Sequence, residues 1–417
     1  MTSEPNKGKK RSTIGAPRRR DATVRLQPDV ARRVQDGHPW VFEDALQGRK
    51  LSKSVGDPVD LVATSGEFLA RALFDPGGPL ALRVFSRQAG AVVDPHGVVQ
   101  EAARLRRDLL DICPTSCLRV INGDSEGLPA FNADRYGDYI VISMYSAVAE
   151  RYLEAAVDAL VETWSPRGVY LQRRYQPAPQ GKARPPGELI HGEIAPLEVV
   201  VSEGRFRFGV DVSAPLGTGI FADMRLGRQR VAKVAAGRRT LNCFSYTGAF
   251  SLVAALSGAK TVVSVDSAAR AHARATHNFH LNGIDDGDDR FQFLTGDSFA
   301  VLTRMAERKE RFDLVVLDPP TFSSAKGRTF TAIKDYAELV AGSLAVLEQG
   351  GLLLAASNAA KLPDVDFERA IGRGAERAGR RVAIVDRFGQ PADYPAAPGF
   401  PEGRYLKVAM VRAMGPA

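Results

Sequence analysis

Thr240-Leu241-Asn242-Cys243-Phe244, followed by Ser245-Tyr246-Thr247-Gly248, reads as a short buried strand that breaks into a turn. A helical pattern follows at once in Ala249-Phe250-Ser251-Leu252-Val253-Ala254-Ala255-Leu256. The next apolar run, Thr261-Val262-Val263-Ser264-Val265, ends on Asp266, eighteen residues beyond Gly248. A third unit ends in Phe293-Leu294-Thr295-Gly296-Asp297, and a fourth, Phe312-Asp313-Leu314-Val315-Val316-Leu317, delivers Asp318-Pro319-Pro320-Thr321-Phe322. β-Branched runs alternating with amphipathic helices predict a parallel sheet covered on both faces. Ligands of such sheets bind outside the carboxyl ends of the strands, where all four polar signals fall.

Each signal has a plain reading beside a functional one. Gly248 either begins a helix from unusual backbone angles or lets a ligand approach the chain. Asp266 either caps the following helix or accepts from the two hydroxyls of a ribose. Asp297 either caps a turn or accepts from an exocyclic amine. The spaced-glycine dinucleotide fingerprint is absent. Asp318-Pro319-Pro320 is the most specific signal, because two prolines directly after a buried strand fix an extended backbone and forbid an immediate helix. Four strand-end signals in order predict a nucleoside cofactor.

On these residues, 200–417 resembles a class I S-adenosylmethionine-dependent methyltransferase. Leu241–Gly248, Asp318–Phe322 and Pro401-Glu402-Gly403-Arg404-Tyr405-Leu406-Lys407 resemble more closely the bacterial 23S ribosomal RNA large-subunit methyltransferases I and K, over nearly all of the chain after residue 22. The resemblance implies S-adenosyl-L-methionine as cofactor, with Asp266 on its ribose, Asp297 on its adenine and the Cys243–Gly248 loop on its methionine part. Asn242, Phe244, Ser245, Tyr246, Thr247 and Gly248 thereby join the cofactor set, with Asp318. Thr218–Arg225, which includes Phe221 and Asp223, matches a family element lying over the cofactor.

Composition bounds this reading. The 417 residues exceed one typical domain. A hydrophobic share of 44% and a charged share of 25% are those of a soluble globular protein without a membrane span or secretory signal, which predicts a cytoplasmic location. Three cysteines argue against a disulfide framework, and Cys113 and Cys117 lack partners at zinc spacing, so no metal site is expected. The net charge of +8 is concentrated in the start of the chain. Residues 1–20 hold seven basic groups against Glu4, a balance of +6, which leaves +2 for the rest. Such a tail (1–21) is expected to be disordered, and adds salt-sensitive affinity for RNA or remains a solvated end.

Three folded units are expected. Residues 22–92 read as a small β-rich domain with a helix at Asp29–Gln35, and resemble the PUA module, an RNA-binding fold. There Trp40 and Phe42 are expected in the core and His38 in a turn. Residues 93–199 read as an α+β unit whose first helix carries Arg104, Arg106 and Arg107 on a solvated side, followed by the turn-forming Gly123–Pro129. Residues 200–417 form the Rossmann-like methyltransferase domain, closed by an antiparallel edge hairpin whose loop, Phe388–Gly403, is expected to line the substrate entrance. The resemblance implies 23S ribosomal RNA or a large-subunit assembly intermediate as partner, with no membrane. A homodimer stays open.

The target atom follows from a departure. Methylation of a pyrimidine C5 needs a cysteine thiolate to add to the neighbouring carbon first. Methyltransferase I of the resembled family is a cytosine-C5 enzyme, whose type of site carries that cysteine after a serine at the end of the strand following Asp-Pro-Pro. Here that position reads Ser357-Asn358, and no cysteine follows Pro319 or Pro320. The expected target is therefore a nitrogen, of guanine as in methyltransferase K, which shares Asp-Pro-Pro-Thr-Phe. Asp318 would then hold or deprotonate that nitrogen between the rigid Pro319-Pro320 backbone, a stacking Phe322 and a hydrogen-bonding Asn358. Cytosine-C5 methylation, a non-catalytic RNA-binding assembly factor, and a protein or small-molecule methyltransferase are the competing readings.

Overall fold

The computed structural model describes residues 22–48, 51–112, 114–178, 180, 183–285, 287–325 and 328–416, with backbone alone at 112, 322–325, 328–330, 332–334 and 416. The basic tail lies outside the described residues.

The first sheet contains β1 (Ala22–Arg25), β2 (Trp40–Phe42), β3 (Pro58–Val62), β4 (Phe68–Phe74) and β5 (Leu80–Ser86), in the order β1-β3-β4-β5-β2. Helix α1 (Pro28–Gln35) starts on a proline, whose missing N–H is no loss in a first turn. It buries Val30, Ala31 and Val34 against Leu61, Leu69 and Leu82. The expectation that Trp40 and Phe42 are core residues of this unit is corrected. Both are only half-buried, and the Trp40 ring meets Phe400, near the far end of the chain, edge-on at 4.6 Å. His38 is more than a turn residue as well. Its buried ring accepts from the Trp40 amide at Nδ1 and donates from Nε2 to Glu402 at 3.1 Å. Gly399 permits this approach, because a Cβ there would stand 2.1 Å from the Asp36 carbonyl oxygen.

The second sheet has the order β10-β9-β8-β7-β6, from β6 (Cys117–Asn122), β7 (Phe131–Tyr136), β8 (Tyr139–Met144), β9 (Gly168–Arg173) and β10 (Glu188–Gly192). Helix α3 (Leu153–Trp164) makes the crossover between the parallel β8 and β9, and packs beside α2 (Pro95–Ile112). One side chain expected on the solvated side of α2 is not there. Arg106 is fully buried and bound through two bonds by Glu126, at 2.7 and 2.9 Å, and donates to the carbonyl oxygens of Ala102, Arg119 and Asp393. A buried guanidinium needs such complete pairing. The Gly123–Pro129 turn supplies it through Glu126, while Asp124 accepts from Arg83 of β5.

A hairpin of β11 (Val199–Glu203) and β12 (Phe206–Val210) leads to α4 (Arg225–Val234) and the third sheet. Its strands are β13 (Arg239–Cys243), β14 (Thr261–Asp266), β15 (Phe291–Thr295), β16 (Phe312–Leu317), β19 (Leu347–Ser357), β20 (Arg380–Phe388) and β21 (Lys407–Pro416), ordered β15-β14-β13-β16-β19-β21-β20. A small pair, β17 (Phe322–Ala325) and β18 (Arg328–Thr331), stands apart. The first five strands of the large sheet are parallel, and β21 runs antiparallel to both β19 and β20. Helices α4, α5 (Ala249–Leu256) and α6 (Ala269–Leu281) bury one face, while α7 (Ser298–Glu307), α8 (Ala332–Ala345) and α9 (Asp364–Arg377) bury the other. Double coverage explains the apolar runs at 314–317 in β16 and 352–356 in β19. The strand order reverses between β13 and β16, which places a crevice there. No helix among the described residues is long and apolar enough to cross a membrane.

Candidate functional site

The chain leaving β13 forms a strained loop. Phe244 (φ 60°), Tyr246 (φ 48°) and Gly248 (φ 73°) are all left-handed, a conformation costly for the first two and concentrated at functional sites. The surroundings hold it. The Ser245 amide donates to the Val265 carbonyl at 2.9 Å, and the Tyr246 amide to Asp266 Oδ2 at 2.8 Å. Thr247 Oγ1 donates to the Gly219 carbonyl, and the buried Asn278 amide of α6 clasps the Thr247 carbonyl at 2.9 Å while accepting from the Gly209 amide at 2.8 Å. Gly248 lets α5 approach α6, since a Cβ would stand 2.8 Å from that of Ala275. Gly248→Ala therefore combines left-handed strain with a clash, and is expected to lower stability by about 2 kcal/mol in urea denaturation.

Not every predicted residue faces the crevice. Asn242 is 1% exposed, and its amide donates to Ser251 Oγ at 2.9 Å, which also accepts from Ser264 Oγ at 2.7 Å. It supports α5 from beneath the loop, a correction to its expected place on the cofactor. Thr247, likewise 1% exposed, contributes by fixing the backbone. Ser245 Oγ is buried without a hydrogen-bond partner among the described residues, as expected of a group that a ligand would satisfy.

The neighbouring strand ends complete the crevice. Asp266 keeps one bond on each oxygen, from Tyr246 N and from Ala268 N at 2.9 Å, so each retains acceptor capacity for further donors. Asp297 caps the helix α7, where its plain reading had a turn, through the Ala300 amide at 3.0 Å, and keeps its second oxygen. Phe221 is 54% exposed, with its ring 5.5 Å from that of Tyr246. Its carbonyl accepts at 2.9 Å from Arg228, a buried guanidinium bound by both oxygens of Glu203.

Asp318 follows β16 on the other side of the strand reversal. Pro319 is buried and Pro320 exposed, so the backbone turns directly out of the sheet. Desolvation, then the nearby Asp223 carboxylate, push the Asp318 pKa up to about 7. Asp223 is itself raised by desolvation, against the Tyr405 hydroxyl that donates to it at 2.7 Å. Thr321 Oγ1 donates to Asn358 Oδ1 at 2.6 Å and ties the Asp-Pro-Pro turn to the end of β19. Phe322 begins β17, and its side chain lies outside the described residues.

Sequence reasoning missed Asn278, Arg228 and Tyr405. The first two carry no motif. Tyr405 lies within a quoted motif, but nothing in that motif points to Asp223. Among the described residues no group of three or more His, Cys, Asp or Glu is placed to hold a metal ion.

Comparison with known proteins bears on this geometry. Residues 148–404 match the family model described as S-adenosylmethionine-dependent methyltransferase, and residues 24–87 match a PUA-like domain. The chain is 33% identical over 388 residues to the ribosomal RNA large subunit methyltransferase I of Vibrio vulnificus, covering 93% of this chain and 98% of the relative. It is 34% identical over 397 residues to that of Tolumonas auensis, covering 94% and 99%. A solved methyltransferase complexed with SAH superposes with a TM-score of 0.85 at 24% identity, over 94% of this chain and 100% of that one. An S-adenosylmethionine-dependent methyltransferase structure from Streptococcus mutans gives 0.83 at 24% identity, with the same coverage.

Proposed function

Because the chain belongs to the S-adenosylmethionine-dependent methyltransferase family, we propose that it methylates a base of 23S ribosomal RNA, at a nitrogen of guanine. Relatives named for large-subunit ribosomal RNA and the PUA-like domain support the RNA. One observation carries the nitrogen: no cysteine occurs anywhere in residues 244–417, and the residue after Ser357, where the resembled C5 enzymes carry their cysteine, is Asn358. Of the three cysteines, Cys117 and Cys243 are buried. Desolvation pushes the Cys243 thiol up to about 12 and, with the Glu203 charge, Cys117 well above its usual value. Neither is a nucleophile in that state. Cys113 lies outside the described residues.

The crevice fits the family's cofactor, since Ser245 Oγ lacks a partner among the described residues and Asp266 and Asp297 keep free acceptor capacity. In this reading Asp266 accepts from the ribose hydroxyls, Asp297 from the adenine amine, and the Cys243–Gly248 loop receives the methionine part, with Phe221 and Tyr246 above it. When bound, S-adenosylmethionine supplies an electrophilic methyl on a sulfonium. The protein supplies position and electrostatics. Asp318 holds the acceptor nitrogen and takes its proton where it carries one. The two prolines fix the direction of that carboxylate. Phe322 stacks on the base, and Asn358, oriented by Thr321, bonds its edge. Residues 22–92 and 93–199 grip the RNA around the extruded base, and 200–417 carry the chemistry.

Nucleoside mass spectrometry tests this on 23S ribosomal RNA from a deletion strain, before and after incubation with enzyme and labelled S-adenosylmethionine. An N-methylguanine should gain label. Labelled 5-methylcytosine would overturn the nitrogen, and no incorporation into either free RNA or large-subunit precursors would overturn the activity.

A further inference from the structure

A cavity of about 500 Å³ opens between the first turn of α9, the adjoining ends of β20 and β21, and the loop 389–406. It does not coincide with the crevice at β13 and β14. Along the sheet edge the cofactor positions lie on β15, β14 and β13, the acceptor positions follow β16 and β19, and the cavity lies on β21 and β20. From β16 to β21 is two strand spacings, roughly 10 Å. The cavity and the acceptor turn also share a wall. Lys407 lines the cavity, and its Nζ donates to the carbonyl oxygens of Ala359, next to Asn358, and of Tyr405, at 3.1 and 2.8 Å.

The lining has a definite chemistry. Phe388, Tyr394 and Leu406 form an apolar wall. Arg387 is engaged by Glu368 at 2.5 Å, and the Lys407 ammonium is turned onto the Ala359 and Tyr405 carbonyl oxygens. Arg404 is left over: exposed at the rim, with no ion pair among the described residues. The volume suits a small-ligand site, and one uncompensated cation beside an apolar wall matches a single base carrying a single phosphodiester. A di- or triphosphate would lack counter-charge, and a wholly apolar ligand would leave Arg404 unanswered.

The loop is also preformed. The Asp393 carboxylate accepts from the Arg119 amide at 2.9 Å and from Arg225, the Pro395 carbonyl accepts from Asn122 at 2.7 Å, and Phe400 packs on Trp40. Rigidity of this kind lowers the ordering cost of binding. We propose that the cavity receives the nucleotide flanking the methylated base, with Arg404 on its phosphate. This rests on the RNA reading above.

The experiment is steady-state methylation of 23S ribosomal RNA, with RNA affinity measured across a salt series, for wild type, Arg404→Ala and Ala392→Trp. Ala392 is an exposed residue of the lining, so a tryptophan there fills the cavity without entering the core. Arg404→Ala should raise KM for RNA about tenfold with kcat and S-adenosylmethionine affinity kept, and reduce the slope of log Kd against log salt by about 0.7 to 1. Ala392→Trp should raise KM similarly with the slope unchanged. Wild-type KM in both variants, or a raised KM for Arg404→Ala without a change of slope, overturns the subsite. A wild-type protein that neither binds nor methylates the RNA overturns the proposed function, and the subsite with it.

Discussion

Asp318→Asn is expected to lower kcat by about 10²- to 10⁴-fold, the range lost with a positioned proton acceptor. The substitution preserves shape and one hydrogen-bond acceptor, so what is removed is the capacity to take a proton. A carboxylate with an ordinary pKa near 4 is a poor acceptor at neutral pH. Burial and Asp223 move Asp318 to about 7, where its carboxylate form is both populated and basic. Wild-type kcat should therefore rise with pH through about 7 and level off above it. Stability runs the opposite way. With its folded pKa above the unfolded value, Asp318 makes its full contribution below the unfolded pKa, and that contribution is lost as pH rises through about 7. Asp318→Asn should therefore unfold at higher urea than wild type above pH 7 while turning over more slowly. Single-turnover kinetics and urea titrations over pH 5–9 measure both. An asparagine variant within tenfold of the wild-type rate would remove proton transfer from the role of Asp318.

The sequence made the catalytic sheet legible because its signal is local. Strands such as Leu314–Leu317 are apolar at every position, since both faces are covered, and Asp266, Asp297 and Asp318 fall at their ends. Asn242 lies in the same run, and its place on the cofactor came with the resemblance alone: β13 is dry on both faces, so the run itself does not tell which side chain meets the crevice. The second kind of failure is distance. Arg106 has an arginine's ordinary place on a helix until Asp393, 287 residues away, and Glu126 close its pairing. His38 meets Glu402 across 364 residues, and Tyr405 meets Asp223 across 182. No periodicity carries such pairs, so the packing of the first two sheets on the loop before β21 emerges only from the structure.

That loop makes Asp393→Ala the second substitution of large effect, with an expected loss of about 3–5 kcal/mol, the cost of leaving a buried charge without its partner. Asp393 is 2% exposed. Burial alone would pull the Arg225 pKa down, and the Asp393 charge overrides it and leaves it raised. Among the described residues, truncation leaves the Arg225 guanidinium with the Cys117 carbonyl alone as acceptor, at 3.0 Å, and strips the Arg119 amide of its acceptor. Because Arg225 begins α4, Arg119 lies on β6, and the Asp393 carbonyl holds Arg106 of α2, the damage spreads to the joint between the middle and catalytic units. The first transition in urea should move to lower concentration, and limited proteolysis should cut faster between Pro395 and Arg404. Asp393→Leu combined with Arg225→Met removes both charges and should recover part of the loss, as buried pairs replaced by apolar groups commonly do. If Asp393→Ala unfolds at the wild-type urea concentration, the buried pair does not hold the joint. If the loss is seen but the double variant recovers nothing, the bond from the Arg119 amide matters more than the ion pair. In either stable variant the loop carrying Arg404 is less fixed, so KM for RNA should rise even where the fold is restored.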